Sequence, residues 1–488
     1  MNLSYAELAH VLMPEFSLVV GALIVLGFDL LIGRRDSLDD RMRNSAAIGA
    51  VAVVAASIHC VRLGVPGPAF GGVLIFDNLA MVARVGVLGL ALLTLGISSG
   101  TVRQRHPAEY VALMLFATTG LTLMAAAQQL LLAFLALELA SLSLYVLAGF
   151  DKSRRDSAEA ALKYFLFGGM SAAFLLFGFS LIYGLTGSIF LPHIANSLAL
   201  QPMNSLLVVA LVMVLVAFGF KVAAAPFHLW APDVYQGAPA PSAALIASAS
   251  KLAGFTLFIR LFWLGFGAAA GGINAVPGLA GWLPAVAGVS AASLLLGNIG
   301  ALAQRNLRRL LAYSAIAHAG ALLLGVIATG KAGPGAVIYY ASTYGIATVG
   351  AFGVIAVIER SATCRDITDL AGLHRRSPLL AGCLMIFILS LAGIPPLAGF
   401  FGKFAVFSAA LQMGGLTSPA GWLAFLAILL SAVALYYYLV VLKQVLVAAP
   451  KPGAPKIAID PVAAVTLFCA AALLILFGVW PSLLLGFF

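Results

Sequence analysis

The stretch FGFKVAAAPFHLWAPDVYQGAPAP at residues 218–241 places Lys221 inside an apolar run, with a proline five residues later and a histidine two residues after that. What this lysine can contact depends on the rest of the chain, in which 62% of the 488 residues are hydrophobic and 9% are charged. Soluble domains carry about 25% charged residues. The composition therefore excludes a soluble globular protein and indicates an integral membrane protein.

Apolar runs of about 20 residues, the length that crosses a ~30 Å hydrocarbon core, recur along the whole chain. No positive charge precedes the first run, so we expect it to remain as a membrane helix and not to be cleaved as a signal peptide. We predict an all-α membrane protein with about fourteen transmembrane helices, at 10–32, 45–63, 75–99, 108–127, 129–150, 158–184, 205–230, 239–264, 281–303, 307–329, 335–359, 378–412, 419–446 and 461–485.

The net charge of +10 is distributed unevenly between the predicted loops. Loops after even-numbered helices hold only Arg62 and Lys331. By the positive-inside rule, the other loops lie in the cytoplasm and both termini lie outside. Charge placed in this way indicates a lipid bilayer as the partner and not nucleic acid. The loops after odd-numbered helices hold Arg34, Arg35, Arg41, Arg43, Arg103, Arg105, Lys152, Arg154, Arg155, Arg305, Arg308, Arg309, Arg360, Arg365, Arg375, Arg376, Lys451 and Lys456.

Four other basic residues lie within predicted helices. Arg260 and Lys443 lie near helix ends and can extend their long side chains to water. Arg84 allows either that interpretation or a buried role. Lys163, about one and a half turns inside predicted helix 6, is either an interface anchor or a functional residue.

Three lysines, Lys221, Lys251 and Lys403, each lie more than ten residues from one end of their predicted spans. At about 1.5 Å per residue this depth is near the bilayer midplane. A charge there costs on the order of 3 kcal/mol, so such residues usually face each other or water inside the protein. The three lysines therefore indicate an ion path.

Glu138 is the acid that we expect at a comparable depth, with Ser141 and Tyr145 on the same face of predicted helix 5. This polar stripe suits a water-lined path, although a buried Glu–Lys pair that only fixes helix packing is the alternative. His228 and His318 are either hydrogen-bonded packing residues or proton relays. We interpret them as relays because their helices carry or mirror the charged sites.

Prolines predict interruptions near 224–226 in helix 7 and near 393–399 in helix 12. Backbone groups freed inside a membrane must face protein or a wet cavity, so both breaks face inward. Lys221 precedes its proline and Lys403 follows its prolines, as expected for two repeats of opposite orientation. We predict N-terminal helices 1–3 (1–106), two inverted five-helix repeats (helices 4–8, 107–264; helices 9–13, 281–446) and a C-terminal helix 14 (447–488).

Cofactor signatures are not visible in the sequence. The four cysteines form no C-x-x-C pair, and no two histidines are spaced to hold haem between helices. The segment GVIATGKA at 325–332 lacks the final Ser or Thr of a phosphate-binding loop. We expect this chain to bind no cofactor and no metal ion.

Five motifs resemble, in the order of the family, the antiporter-like membrane subunits of respiratory complex I: ELASLSLYVLAGF, EAALKYFLFGG, FKVAAAPFHLWAPDVYQGAP, NLRRLLAYSAIAHAG and LAGIPPLAGFFGKF. The resemblance covers the length of the chain. The opening LMPEFSLVVGALIVLGFDLL, the lysine in helix 12 and the absence of a long lateral helix are similar to one branch of that family, distinct from its M-like and L-like branches.

The resemblance implies a proton-translocating subunit of NADH:quinone oxidoreductase, with M-like and K-like neighbours in the membrane arm. It also implies that FMN, iron–sulfur clusters and quinone belong to other subunits. By this resemblance, the residues that transfer protons are Glu138, Lys221, Lys251 and Lys403. His228 and His318 match positions of the hydrophilic axis that connects these residues, and Lys163 matches a lysine of helix 6.

We hypothesise that Lys221 accepts a proton from the cytoplasmic side. The proton then passes through the two histidines and Lys251 to Lys403, and Glu138 sets the timing of the transfer. Moving a proton against ~200 mV costs about 4.6 kcal/mol. One Glu–Lys interaction at ~6 Å supplies only about 3 kcal/mol, so several coupled charges are needed. A cation/proton antiporter subunit of the same fold, and a scaffold whose buried charges lock its helices, remain as alternatives.

Overall fold

Helices form nearly all of the computed structural model, which describes residues 9–102, 105–272 and 281–488 and leaves out the side chains of residues 331 and 332. Arg103 and the side chain of Lys331, both in the predicted loop charges, lie outside the described residues. The predicted all-α membrane fold is confirmed. Twelve segments within those ranges are long and apolar enough to cross a bilayer: Met13–Leu31, Leu38–Leu63, Asn78–Thr101, Pro107–Ala126, Leu130–Ala148, Arg155–Thr186, Ala240–Gly265, Leu283–Leu302, Leu307–Ala332, Gly335–Glu359, Pro419–Leu446 and Pro461–Val479.

Both predicted interruptions are confirmed. Predicted helix 7 (205–230) is Ser205–Lys221 followed by a break, and the next helix, Trp230–Gly237, begins at its predicted end. Predicted helix 12 consists of Pro378–Ala392 and Ala398–Leu411. The first break, over residues 222–229, is wider than predicted because the helix already ends at the lysine. Since these two crossings are made of shorter pieces, the total of fourteen crossings and the two repeats stay predictions.

Hydrogen bonds within the protein pair backbone groups that lose their helical partners at the two breaks. The amide of Ala225 donates to Ser293 Oγ at 2.8 Å, and the indole of Trp230 donates to the carbonyl oxygen of Phe220 at 3.1 Å. In the second break, the amide of Gly399 donates to Ser390 Oγ at 3.2 Å. Both breaks therefore face the protein interior, as a bilayer requires.

Predicted helix 8 is less regular than the continuous span expected at 239–264. It divides into Ala240–Ala247 and Ala249–Ile259 and ends in a π-helical turn, Arg260–Gly265. Ser248, at the junction, donates its hydroxyl to the carbonyl oxygen of Ala244 at 2.6 Å. Such back-bonding bends helices, and no proline marks the position in the sequence.

The prediction that Arg260 extends to water is wrong, because its side chain is 0% exposed. Its guanidinium donates to both carboxylate oxygens of Asp77, at 2.6 and 3.1 Å, and to the carbonyl oxygen of Ala125 at 2.7 Å. These acceptors compensate the charge locally, so the side chain does not need water. Lys443 is exposed, in agreement with its prediction.

Arg84 and Glu15 form a buried ion pair between the first and third membrane helices. Arg84 Nη2 lies 2.7 and 2.8 Å from the two carboxylate oxygens of Glu15, and the side chains are 2% and 7% exposed. The guanidinium also lies 4.8 Å from the ring centroid of Phe76. This pairing assigns Arg84 a buried role, and Glu15 is an additional buried acid that the sequence interpretation did not identify.

Several basic residues assigned to loops lie instead within helices. Ser37 and Asn306 cap the starts of Leu38–Leu63 and Leu307–Ala332, where their side chains accept hydrogen bonds from backbone amides at 3.2 and 3.0 Å. The helix that begins at Leu38 therefore starts before its apolar run at 45–63. Residues counted among the loop charges that lie in helices include Arg41, Arg43, Arg155, Arg308 and Arg309.

Smaller elements, none of them predicted, complete the described fold. Strands Gly67–Ala69 and Leu74–Phe76 pair antiparallel, with Pro68 opposite Ile75. Short α-helices occur at Leu191–Ala199, Leu373–Arg376 and Ser482–Leu485, and 3₁₀ turns at Gly33–Arg35, Phe70–Gly72, Gly267–Ala269, Ile367–Leu370 and Gly415–Thr417.

Three helical segments form the centre of the bundle. The most apolar windows of Ala240–Gly265 and Gly335–Glu359 are 100% buried, and that of the helix beginning at Leu307 is 94% buried. Peripheral helices such as Arg155–Thr186 and Pro461–Val479 have only 33% of their windows buried. Polar side chains on the three central segments therefore face protein and not lipid.

Candidate functional site

Lys221 and Glu138 lie on neighbouring helices but do not form an ion pair. Lys221 is the last residue of Ser205–Lys221, and its Nζ donates to Ser141 Oγ at 3.0 Å. Glu138 is three residues before Ser141 on Leu130–Ala148, and its buried Oε1 has no hydrogen-bond partner among the described residues. Ser141 therefore supplies the neutral acceptor for the lysine, while the carboxylate stays within electrostatic range without holding it.

Lys251 is almost completely buried, at 3% exposure, on the central segment that follows the first break. Its Nζ donates to the carbonyl oxygen of Ala315 at 2.6 Å and lies 5.0 Å from the ring centroid of Tyr344. Gly254, one turn after Lys251, is close to Lys221: a methyl group there would lie 3.5 Å from Lys221 Cγ. Lys221 therefore packs against the helix that carries Lys251, one turn away from that residue.

His318 lies one turn after Ala315 and is the centre of a hydrogen-bonded group. Its Nδ1 is 2.7 Å from the hydroxyl of Tyr340, and its Nε2 is 3.2 Å from the hydroxyl of Tyr438. The Tyr438 hydroxyl is in turn 2.5 Å from Ser314 Oγ. Because each hydroxyl can donate or accept, both ring nitrogens can exchange a proton with a neighbour.

Lys403 lies beside the second break and shares a small cavity with His318. Its Nζ donates at 2.9 Å to the carbonyl oxygen of Ala392, the last residue of the helix before the break. A cavity of about 20 Å³ is lined by both His318 and Lys403 and by Asn298 and other polar groups. This volume has room for about one water molecule, which could bridge the histidine and the lysine.

The second histidine, His228, lies in the first break and makes no comparable link. It is buried, and its Nδ1 has no hydrogen-bond partner among the described residues. The hydrogen bonds described here do not connect it to Lys221 or Lys251, so its relay role stays a prediction.

Lys163 lies outside the row formed by Lys221, Lys251, His318 and Lys403, in a cluster of ion pairs. Its Nζ is 2.6 Å from the carboxylates of both Glu159 and Asp233. Asp233 also accepts from Arg309 Nη1 at 2.5 Å. This cluster joins Arg155–Thr186, the short helix Trp230–Gly237 and the central helix Leu307–Ala332.

Four hydroxyl-bearing residues near these lysines were not identified from the sequence: Tyr340, Tyr344, Tyr438 and Ser314. Tyr340 and Tyr344 are spaced at i and i+4 in an otherwise apolar helix, which places them on one face. A search for hydroxyl-bearing residues at helical spacing in apolar spans would have identified them. Across the described residues, no group of three or more His, Cys, Asp or Glu is arranged to hold a metal ion.

The fold and the site together define an antiporter-like membrane protein. It has interrupted helices, and three buried lysines, each bound to a neutral acceptor, lie on or beside its central helices. A family model described as "NADH:quinone oxidoreductase/Mrp antiporter, TM" matches residues 127–431.

Similar proteins cover the whole length of the chain. NADH-quinone oxidoreductase subunit N 2 of Acidobacterium capsulatum is 48% identical over 99% of this chain and 98% of that protein. Subunit N 1 of Solibacter usitatus is 38% identical, with coverages of 97% and 95%. The chain therefore belongs to the NADH:quinone oxidoreductase/Mrp antiporter transmembrane family.

Solved structures agree with this membership. A chain of respiratory complex I from Thermus thermophilus with bound aureothin is 33% identical, with a TM-score of 0.78 over 97% of this chain and 99% of that chain. A chain of the Mrp complex from Dietzia sp. DQ12-45-1b has a TM-score of 0.81 at 22% identity over 99% of this chain and 96% of that chain, which shows the shared fold.

Proposed function

We propose that the chain is subunit N of a bacterial proton-translocating NADH:quinone oxidoreductase and moves protons through its buried row of lysines. The observation that supports this proposal most directly is the connection of Lys251, His318 and Lys403 through the helix Leu307–Ala332 and a cavity for one water. The full-length relatives of the same name support the assignment to this complex.

The row suits proton transfer because no lysine in it is locked by a carboxylate. Within the described residues, no carboxylate oxygen lies within 4.0 Å of the Nζ atom of Lys221, Lys251 or Lys403. Each ammonium instead donates to a neutral oxygen, at 3.0, 2.6 and 2.9 Å respectively. An ion pair would hold the proton, whereas a neutral acceptor lets the amine lose it.

Repulsion between neighbouring sites gives the transfer its direction. Two positive charges in the row disfavour each other strongly, because the interior screens them weakly. A proton that loads Lys221 therefore favours release from Lys251, and the effect continues toward Lys403. Glu138 sets the timing in this proposal: when it is charged, it stabilises the protonated form of Lys221. Several such steps are needed to reach the ~4.6 kcal/mol that a proton requires against ~200 mV.

The remaining assignments complete the proposal. The membrane is the bacterial inner membrane, both termini are periplasmic, and M-like and K-like subunits are the neighbours. Residues 107–264 and 281–446 form two inverted repeats, between helices 1–3 (1–106) and helix 14 (447–488). FMN, iron–sulfur clusters and quinone are bound by other subunits. His228 contributes to the row, and Lys163 positions the short helix after the first break through Asp233.

Proton pumping per NADH oxidised, measured in inverted membrane vesicles, tests the proposal. In complexes shown to be assembled, Lys221→Ala and Glu138→Gln are each expected to lower pumping at least tenfold. Lys443→Ala, which removes an exposed lysine, provides the matched control and should leave pumping unchanged. Normal pumping by Lys221→Ala would reduce the buried charges to a packing role.

The hydroxyl of Ser141 gives a finer prediction, because it accepts the hydrogen bond of Lys221. Hydrogen bonds to charged groups contribute about 1.5–3 kcal/mol, so Ser141→Ala is expected to slow pumping about tenfold. The control is Ser143→Ala two residues away, whose hydroxyl donates only to the carbonyl oxygen of Leu139 at 2.9 Å. Equal effects of the two variants on the pumping rate would contradict the role of Ser141.

A subunit of a cation/proton antiporter is the second candidate, since the Mrp complex shares the fold. Transport that depends on sodium and proceeds without NADH oxidation would favour this candidate. The full-length similarity to subunits N favours the first.

A further inference from the structure

A large apolar groove lies between Asn78–Thr101, Gly335–Glu359 and Pro461–Val479. Its volume is about 600 Å³, and among its lining residues only Ser342 carries a side-chain oxygen or nitrogen atom. Apolar cavities hold water poorly, and a void of this size leaves its lining without packing partners. The lining therefore favours a hydrocarbon occupant.

The groove is open to the surroundings of the bundle. Val61, at its edge, is 60% exposed, and Gly89 and Cys469 on two of its walls are also exposed. In a bilayer, lipid chains surround such a surface. An occupant can therefore enter sideways from the membrane without any rearrangement of the helices.

The length of the groove fits one hydrocarbon chain. Along Asn78–Thr101 the groove runs from Met81 to Leu93, which is about 18 Å at the rise of an α-helix and close to one leaflet of a ~30 Å core. An extended acyl chain can therefore lie along the groove within one leaflet.

A positive charge lies at the end of the groove that corresponds to the predicted periplasmic surface. Arg62 follows Val61 near the end of Leu38–Leu63, and it is exposed. It makes no ion pair and no hydrogen bond with any of the residues that the structure describes. We propose that the groove binds one acyl chain of a membrane phospholipid whose phosphate contacts Arg62, since guanidinium groups pair well with phosphate.

Gly89 provides a way to fill the groove without disturbing its walls. A methyl group at Gly89 meets no atom within 4 Å, whereas one at Gly86 would lie 2.8 Å from Leu252. Gly89→Leu therefore places a side chain in the space of the lipid chain. Gly169 on Arg155–Thr186 is also exposed with open space around it, so Gly169→Leu is the matched control.

The test uses the assembled complex in nanodiscs with a phosphatidylethanolamine that carries a photoreactive diazirine near the end of one acyl chain. Mass spectrometry is expected to find adducts concentrated on the segments 81–93 and 469–477. Adduct yield on these segments should saturate as the probe fraction rises. Gly89→Leu should lower the yield at least fivefold, and Gly169→Leu should not change it. Arg62→Gln should lower the yield, and Arg62→Lys should retain most of it.

Adducts spread evenly over all bilayer-facing helices, or a yield that never saturates, would show bulk lipid only and would overturn the proposal. An unchanged yield in Gly89→Leu would do the same. If that variant does not assemble, Val85→Phe fills the groove from the same helix, and the saturation measurement needs no variant at all. Adducts on another subunit in place of segments 81–93 would show that a neighbour covers the groove.

Discussion

Lys251→Met is expected to abolish proton pumping, with at least a tenfold loss per NADH oxidised, while the complex stays assembled and at least as stable as the wild type. Methionine has nearly the length of lysine and fills the same space, so no large cavity results. The substitution removes a buried amine whose side chain is 3% exposed and which no acid compensates. Removal of a buried charge relieves a desolvation cost, so stability should not fall.

The measurement pairs pumping in inverted vesicles with the thermal midpoint of the purified complex. Lys443→Met serves as the control, because that lysine is exposed. A scaffold role for Lys251 predicts the opposite pattern, in which the variant complex is less stable or fails to assemble. Intact pumping in a stable Lys251→Met complex would remove Lys251 from the row.

Arg84→Met is expected to destabilise the protein by about 3–5 kcal/mol, the loss typical when one partner of a buried ion pair is removed. The variant leaves the carboxylate of Glu15 buried and without the guanidinium that lies 2.7 Å away. The double variant Glu15→Leu/Arg84→Met removes both charges and should recover most of that loss, because an apolar pair of similar volume fits the site.

The thermal midpoint and the amount of assembled complex report this effect. The control is Lys451→Met, which breaks the ion pair with Asp369 at 2.7 Å in a setting where the lysine is 54% exposed. Exposed pairs contribute about 0–1 kcal/mol, so this control should change little. Similar losses for Arg84→Met and Lys451→Met would show that burial does not set the value of the pair.

The sequence predicts those parts of the fold and site that depend on local patterns. The apolar runs and the prolines locate the interrupted helices, and the depth of Lys221, Lys251 and Lys403 in their spans predicts their burial, which the structure confirms. Each of these inferences uses only residues within one span.

Partners from distant parts of the chain could not be predicted in this way. Arg260 and Asp77 are 183 residues apart, and Glu15 and Arg84 are 69 residues apart. A charge near a helix end looks alike whether it reaches water or a buried acid, so Arg260 was assigned to water. The kink at Ser248 could not be predicted, because the sequence does not show whether a helical serine donates its hydroxyl to the preceding turn.

The acceptors of the three lysines differ in how they can vary during evolution. Lys251 and Lys403 donate to main-chain oxygens, which every residue type supplies, so changes at Ala315 and Ala392 that preserve the helices preserve these hydrogen bonds. Lys221 depends on a side-chain hydroxyl instead. A single nucleotide change at Ser141 can remove that acceptor, whereas no point mutation can delete the other two.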